Sequence, residues 1–330
     1  MEQQIDFLAI GDIVTEPFIR ITDAEASCDL DQENCKLCVR FGDKIPYESA
    51  EICHAVGNSP NASVSASRLG VRSYLMSYQG DDQIGKENLE SLVHDNVHTD
   101  YMQIVKGLPS NYHYVLWYDV ERTIFVKHTE FPYSFPMNLP EPKWIYLSSL
   151  ASNSTQYHLE IAEYLKAHPN VKLAFQPGTF QMKLGTEILK DIYAHTEVFF
   201  CNFEEAQRIL ATKEKDKIKL MSILRELGPN IVIMTDGIKG AYAYDGTDAW
   251  FMPVYPHEPF ERTGAGDAFS STFTTALLLG KTIPEALLWA PINSMSVVKQ
   301  VGAQKGLLTR EKLEEYLANA PADYKPEKIN

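Results

Sequence analysis

The chain has 330 residues, 45% hydrophobic and 22% charged, with 18 Gly and 18 Pro; this composition excludes a disordered or fibrous chain. Thirty basic against 44 acidic residues leave a net charge of −14, so the average surface repels nucleic acid and anionic membranes, and neither is expected as a partner. The N-terminus opens polar and acidic (MEQQIDFLAIGD), apolar runs are short (ALLL, 276–279) and the five cysteines are an odd number. A cytoplasmic protein without membrane spans or a disulfide framework is the expectation.

In chain order, apolar runs at 5–13 (IDFLAIGDI), 72–80, 143–149, 171–177, 198–202 and 230–237 (NIVIMTDG) predict strands. Helical patterns lie between them at 63–70, 85–96, 155–168 and 203–210, and dominate after 263. This alternation predicts an α/β fold around a mostly parallel sheet covered by helices on both faces. Two stretches break the rhythm. Residues 14–54 are mixed and polar, and residues 98–129 alternate (YMQIV, YHYVLWYDV, RTIFVKH) as antiparallel strands do. Both are expected to leave the sheet as excursions that build a small β-lid. Tyr112, Tyr114, Trp117 and Tyr118 in the second excursion could stack on a nucleobase or sugar face; they also fit aromatic strands packing between two subunits, the favoured reading, which implies a homodimer.

The strongest chemical signal is Glu261-Arg-Thr-Gly264-Ala265-Gly266-Asp267 running into an apolar helix. Small residues at a helix N-terminus expose backbone N–H groups at the positive end of the dipole, an anion site that phosphate can approach closely. A carboxylate beside that site suits phosphoryl transfer, where it takes a proton from the attacking group. Taken alone, the tetrapeptide also fits a loop whose Asp only caps the helix.

RTGAGDAF resembles the nucleotide-side signature of the ribokinase-like (PfkB) carbohydrate kinases, D-T-x-G-A-G-D. FLAIGDIVTE, VGNSPNASVSASRLG, GDDQIG, CNFEEAQRIL and MTDGIKGA resemble five further family motifs, in family order across residues 5–320. The resemblance implies one ribokinase-like α/β kinase domain over 1–330, with the lid excursions at about 14–54 and 98–129. It implies Asp267 as base and Gly264, Ala265 and Gly266 as an anion hole. Glu16, Gly57 and Asn61 would hold the acceptor, and Thr235, Gly237, Gly240 and Asn293, with the segment 301–304, the ATP. Asn202 and Glu205 would position Mg²⁺ through water. The implied activity is ATP-dependent phosphorylation of a sugar hydroxyl. A nucleoside kinase, a sugar-phosphate kinase using Lys44, Arg122 or Lys127, and a silent binding member stay open. Three positions depart from the pattern: Glu16 replaces Asp, Val56 replaces Gly, and Glu261-Arg262 replaces the Asp-Thr of a monovalent-cation loop.

Residues 80–86 approach P-loop spacing, but Glu87 stands where Ser or Thr would bind Mg²⁺. His94 and His98, spaced i, i+4, lack a third metal ligand. Cys35-x-x-Cys38 has ligand spacing, and Cys28 or Cys53 could complete a tetrahedral zinc site; incidental cysteines are the competing reading.

Overall fold

Strands in which every residue is buried run through the middle of the molecule. The computed structural model describes residues 4–28, 35–119, 121–258, 260 and 262–329. Its first strands are β1 (Phe7–Ile10), β2 (Val14–Ile21), β3 (Glu25–Ser27), β4 (Lys36–Cys38) and β5 (Tyr47–Val56). Then come β6 (Ser73–Gly80), β7 (His98–Val105), β8 (Tyr114–Tyr118), β9 (Glu121–Phe125) and β10 (Trp144–Leu147). The last are β11 (Lys172–Phe175), β12 (Thr196–Asn202), β13 (Ile231–Thr235), β14 (Ala241–Tyr244), β15 (Ala249–Met252) and β16 (Glu327–Lys328).

Ten of these form one sheet in the order β16-β15-β14-β13-β12-β11-β10-β1-β6-β7. Neighbours from β13 to β7 are parallel, and β14 to β16 continue the sheet antiparallel. Because successive side chains point to opposite faces, Phe7 and Ala9 pack with Phe273 and Trp289 on one side. Leu8 and Ile10 pack with Tyr157, Ile161 and Leu224 on the other. Both faces are covered by helices, so the central strands read as continuous apolar runs.

A second sheet, in the order β5-β2-β8-β9, stands over the C-terminal end of the first. Strand β7 is not part of the expected lid excursion. That strand lies parallel to β6 at the edge of the large sheet, not in the small one. An edge strand with one solvated side alternates in polarity just as a lid strand does, which is why residues 98–105 read as part of the excursion. His98 accordingly lies in this strand, stacked on Tyr74 at 4.4 Å, and not on the helix of His94.

Cys28 and Cys35 are joined in a disulfide beside the β3–β4 ribbon. This overturns the zinc set of Cys28, Cys35, Cys38 and Cys53, because two of its sulfurs are bonded to each other. Among the described residues no cluster of three or more His, Cys, Asp or Glu is placed to hold a metal, Cys38 and Cys53 included. No helix among them is long and apolar enough to cross a membrane.

Candidate active site

The helix Ala265–Leu278 starts from Gly264, whose φ of 78° lies in the left-handed region. A Cβ at Gly264 would come within 2.4 Å of the Ala303 side chain, so both the backbone angle and the packing require glycine. Ala265 and Gly266 follow, with the unpaired N–H character of a first helical turn. They line two adjoining cavities, of about 580 and 330 Å³. Asn202, Thr235, Arg262 and Phe269 also line both. The cavities open at the C-terminal ends of β12 and β13, where open α/β sheets hold their ligands.

Asp267 lies in the first turn of this helix, lines the smaller cavity and is only 8% exposed. Three side-chain amides donate to its carboxylate: Asn58 Nδ2 to Oδ1 at 2.7 Å, Asn61 Nδ2 to Oδ2 at 2.9 Å and Gln176 Nε2 to Oδ1 at 3.2 Å. Two of these amides are themselves oriented. Gln176 Oε1 accepts from the hydroxyls of Tyr146 and Ser270, and Asn61 Oδ1 accepts from Gln304 Nε2 at 3.0 Å. Burial raises the Asp267 pKa; the donors and the nearby Arg122 charge oppose that rise, and the net direction stays upward. A carboxylate held above its usual range is a better base than a free one at neutral pH.

Glu16, Gly57 and Asn61 line the same small cavity as Asp267. Glu16 Oε1 lies 3.5 Å from His113 Nδ1. Gly57 sits at φ 117°, and a Cβ there would meet the Asp12 carbonyl at 2.7 Å. Thr235, Gly237 and Gly240 line the larger cavity.

Asn202 and Glu205 form a reciprocal cap on the helix Phe203–Ile209. Asn202 Oδ1 accepts from the Glu205 N–H at 2.8 Å, and Glu205 Oε2 accepts from the Asn202 N–H at 2.9 Å. Both also line the small cavity. Burial, reinforced by the Asp267 charge, pushes the Glu205 carboxyl upward against the cap's hydrogen bond. A half-buried Glu205 that feels the charge of buried Asp267 suits a divalent cation held mainly by phosphate oxygens and water, as Mg²⁺ prefers.

Asn293 lines neither cavity. It is fully buried, donates to Thr272 Oγ1 at 2.8 Å and accepts from the Leu308 N–H at 2.9 Å. Its neighbours Ser294, Met295 and Val298 line the larger cavity instead, since one helical step turns a side chain by about 100°. The segment 301–304 likewise lines neither cavity. Ala303 packs on Gly264, and Gln304 orients Asn61. Glu261 lies outside the described residues. Asn58 and Gln176 were missed from sequence. Asn58 had a signal, since it shares the helix face of Asn61 at i, i+3, whereas Gln176 simply follows a buried strand.

The profile described as pfkB family carbohydrate kinase matches residues 23–310. The chain is similar to the ribokinase of Bacillus subtilis, 26% identical over 79% of this chain and 87% of that one. It is similar to a nucleoside kinase of Methanocaldococcus jannaschii, 26% identical over 79% of this chain and 84% of that one. In structure it is similar to the Arabidopsis thaliana ribokinase complexed with ribose and ATP, with a TM-score of 0.78, 19% identity and coverage of 96% and 99%. The last likeness shows that the fold is ribokinase-like.

Proposed function

The chain belongs to the pfkB family of carbohydrate kinases, and from that premise we propose that it transfers the γ-phosphoryl group of ATP to a hydroxyl of a sugar, with Asp267 as base. The observation that carries this reading is the position of Asp267: in the first turn of a helix whose Ala265 and Gly266 line both cavities, facing the smaller one, and held by three amide donors. The larger cavity, with Thr235, Gly237 and Gly240, takes the nucleotide. The smaller, with Glu16, Gly57, Asn58 and Asn61, takes the acceptor. Asp267 accepts the hydroxyl proton, and the N–H groups of Gly264, Ala265 and Gly266 receive charge as it develops on the phosphoryl oxygens. Mg²⁺, near Glu205 and Asn202, supplies neutralising charge on the phosphates when bound.

A polyhydroxy acceptor is favoured because amides and carboxylates line the small cavity, while the lid aromatics point elsewhere. Trp117 is buried against Phe260 at 5.1 Å, and Tyr114 is 51% exposed. Tyr114 pairs across the strands with the exposed Phe125; with exposed Ile52 they offer the small sheet's outer side to a second copy, which supports a homodimer. Use of ATP goes with a cytoplasmic enzyme.

The reading is tested by an ATP-consumption screen over pentoses, hexoses, their phosphates and nucleosides. Turnover on a neutral sugar supports it. A nucleoside as sole acceptor would shift it to a nucleoside kinase, and an inert panel would favour a silent member.

A further inference from the structure

Two arginines flank the seam between the cavities. Arg262, just before the turn into the helix Ala265–Leu278, lines both cavities; Arg122, on β9 of the small sheet, lines the acceptor side with Asp267. Their partners differ. Arg262 Nη1 donates to Glu121 Oε1 at 2.8 Å. Arg122 Nε is buried and has no hydrogen-bond partner among the described residues, an arrangement that costs free energy until an acceptor arrives. Beside them the small sheet is tied to the same stretch of chain by rings. Phe260 packs edge-on against Trp117 at 5.1 Å, and the Arg20 guanidinium lies 4.6 Å over the Trp117 ring. The lid and the anion-hole turn therefore share one joint.

We propose that Arg122 and Arg262 form a clamp for the phosphoryl group in transfer, and that Glu121 holds Arg262 until a phosphate displaces it. The proposal rests on the kinase reading above. In the step, the acceptor oxygen bonds to the γ-phosphorus as the bond to the β–γ bridging oxygen breaks. ADP carries away that electron pair, and Asp267 takes the hydroxyl proton. Negative charge spreads over the three remaining γ-oxygens, where guanidinium groups neutralise it best because they donate two N–H groups in one plane.

The test is calorimetric titration of the whole chain with Mg²⁺ and either ADP or a non-hydrolysable ATP analogue. Arg122→Gln and Arg262→Gln should each weaken the analogue by about 10- to 100-fold, the range for a charge-assisted hydrogen bond, while leaving ADP binding unchanged. Glu121→Gln should tighten the analogue by up to about fivefold, the limit for freeing an exposed pair. Should Arg122→Gln not fold, Arg122→Lys carries the test: it keeps the charge, loses the fork and should lose less analogue affinity in the same direction. Equal weakening of ADP and analogue, or no weakening, would overturn the clamp. So would an Arg122→Gln protein that binds the analogue normally but shows a raised KM only for a phosphorylated or carboxylated acceptor, since that moves the arginine to the acceptor's far end. If the unaltered chain bound neither nucleotide, the kinase reading would fall and the clamp with it.

Discussion

Asn61 Nδ2 donates to Oδ2 of Asp267 at 2.9 Å across 206 positions of sequence. The bond joins the first helix of the chain to the helix that forms the anion hole. It also stabilises the charged form of a carboxylate that burial pushes the other way. The protonation state of the proposed base and helix packing thus meet in one contact.

Removing that donor should move the base. Asp267 must be deprotonated to accept a proton, so turnover should fall as pH drops through its raised pKa. Asn61→Ala removes a bond that favours the anion, so the acidic limb of the kcat–pH profile should shift upward by roughly one unit. An unmoved limb would separate Asn61 from the base.

The same burial gives a stability effect of known sign. A carboxyl whose folded pKa is raised binds its proton more tightly when folded. Its unfavourable contribution is absent below the unfolded pKa and grows as pH rises through the folded one. Asp267→Asn should therefore raise the melting temperature at pH 7, and the gain should vanish at acid pH. Equal melting temperatures at pH 7 would show that the three amides fully offset burial.

The two glycines of the anion hole should respond differently to alanine. At Gly264 the added Cβ strikes Ala303 and the backbone angle is left-handed, so Gly264→Ala should cost about 1–3 kcal/mol of stability. At Gly266 the nearest atom is Gln176 Nε2 at 3.8 Å, so Gly266→Ala should keep its melting temperature. The methyl group would stand at the cavity seam and lower kcat more than acceptor affinity. A destabilised Gly266→Ala protein would count against this division.

Thiol titration bears on the small sheet. With Cys28 and Cys35 bonded, reductant should raise the titratable thiols by two, and metal analysis should find no stoichiometric zinc. An unchanged count with one zinc per chain would restore the metal reading.

Much of the site was legible in the sequence because its parts are local. Gly264 to Asp267 form one turn, Asn202 and Glu205 one cap, and Thr235 to Gly240 one strand end. The alternating core of β1 and the helices on both faces were legible for the same reason, since periodicity carries them. What failed depends on which way a side chain turns. Asn293 lies one helical step away from the cavity lined by Ser294. Gln304 reaches the acceptor side through Asn61, and β7 alternates because it is a sheet edge. The Cys28–Cys35 pairing has no spacing signature at all.

The central claim is that Asp267 takes the acceptor's proton, and the most direct measurement is kcat of Asp267→Asn alongside its ATP affinity. The account expects ATP affinity to be retained and kcat to fall by on the order of 10²–10⁴. An asparagine variant that binds ATP and turns over at close to the normal rate would contradict it.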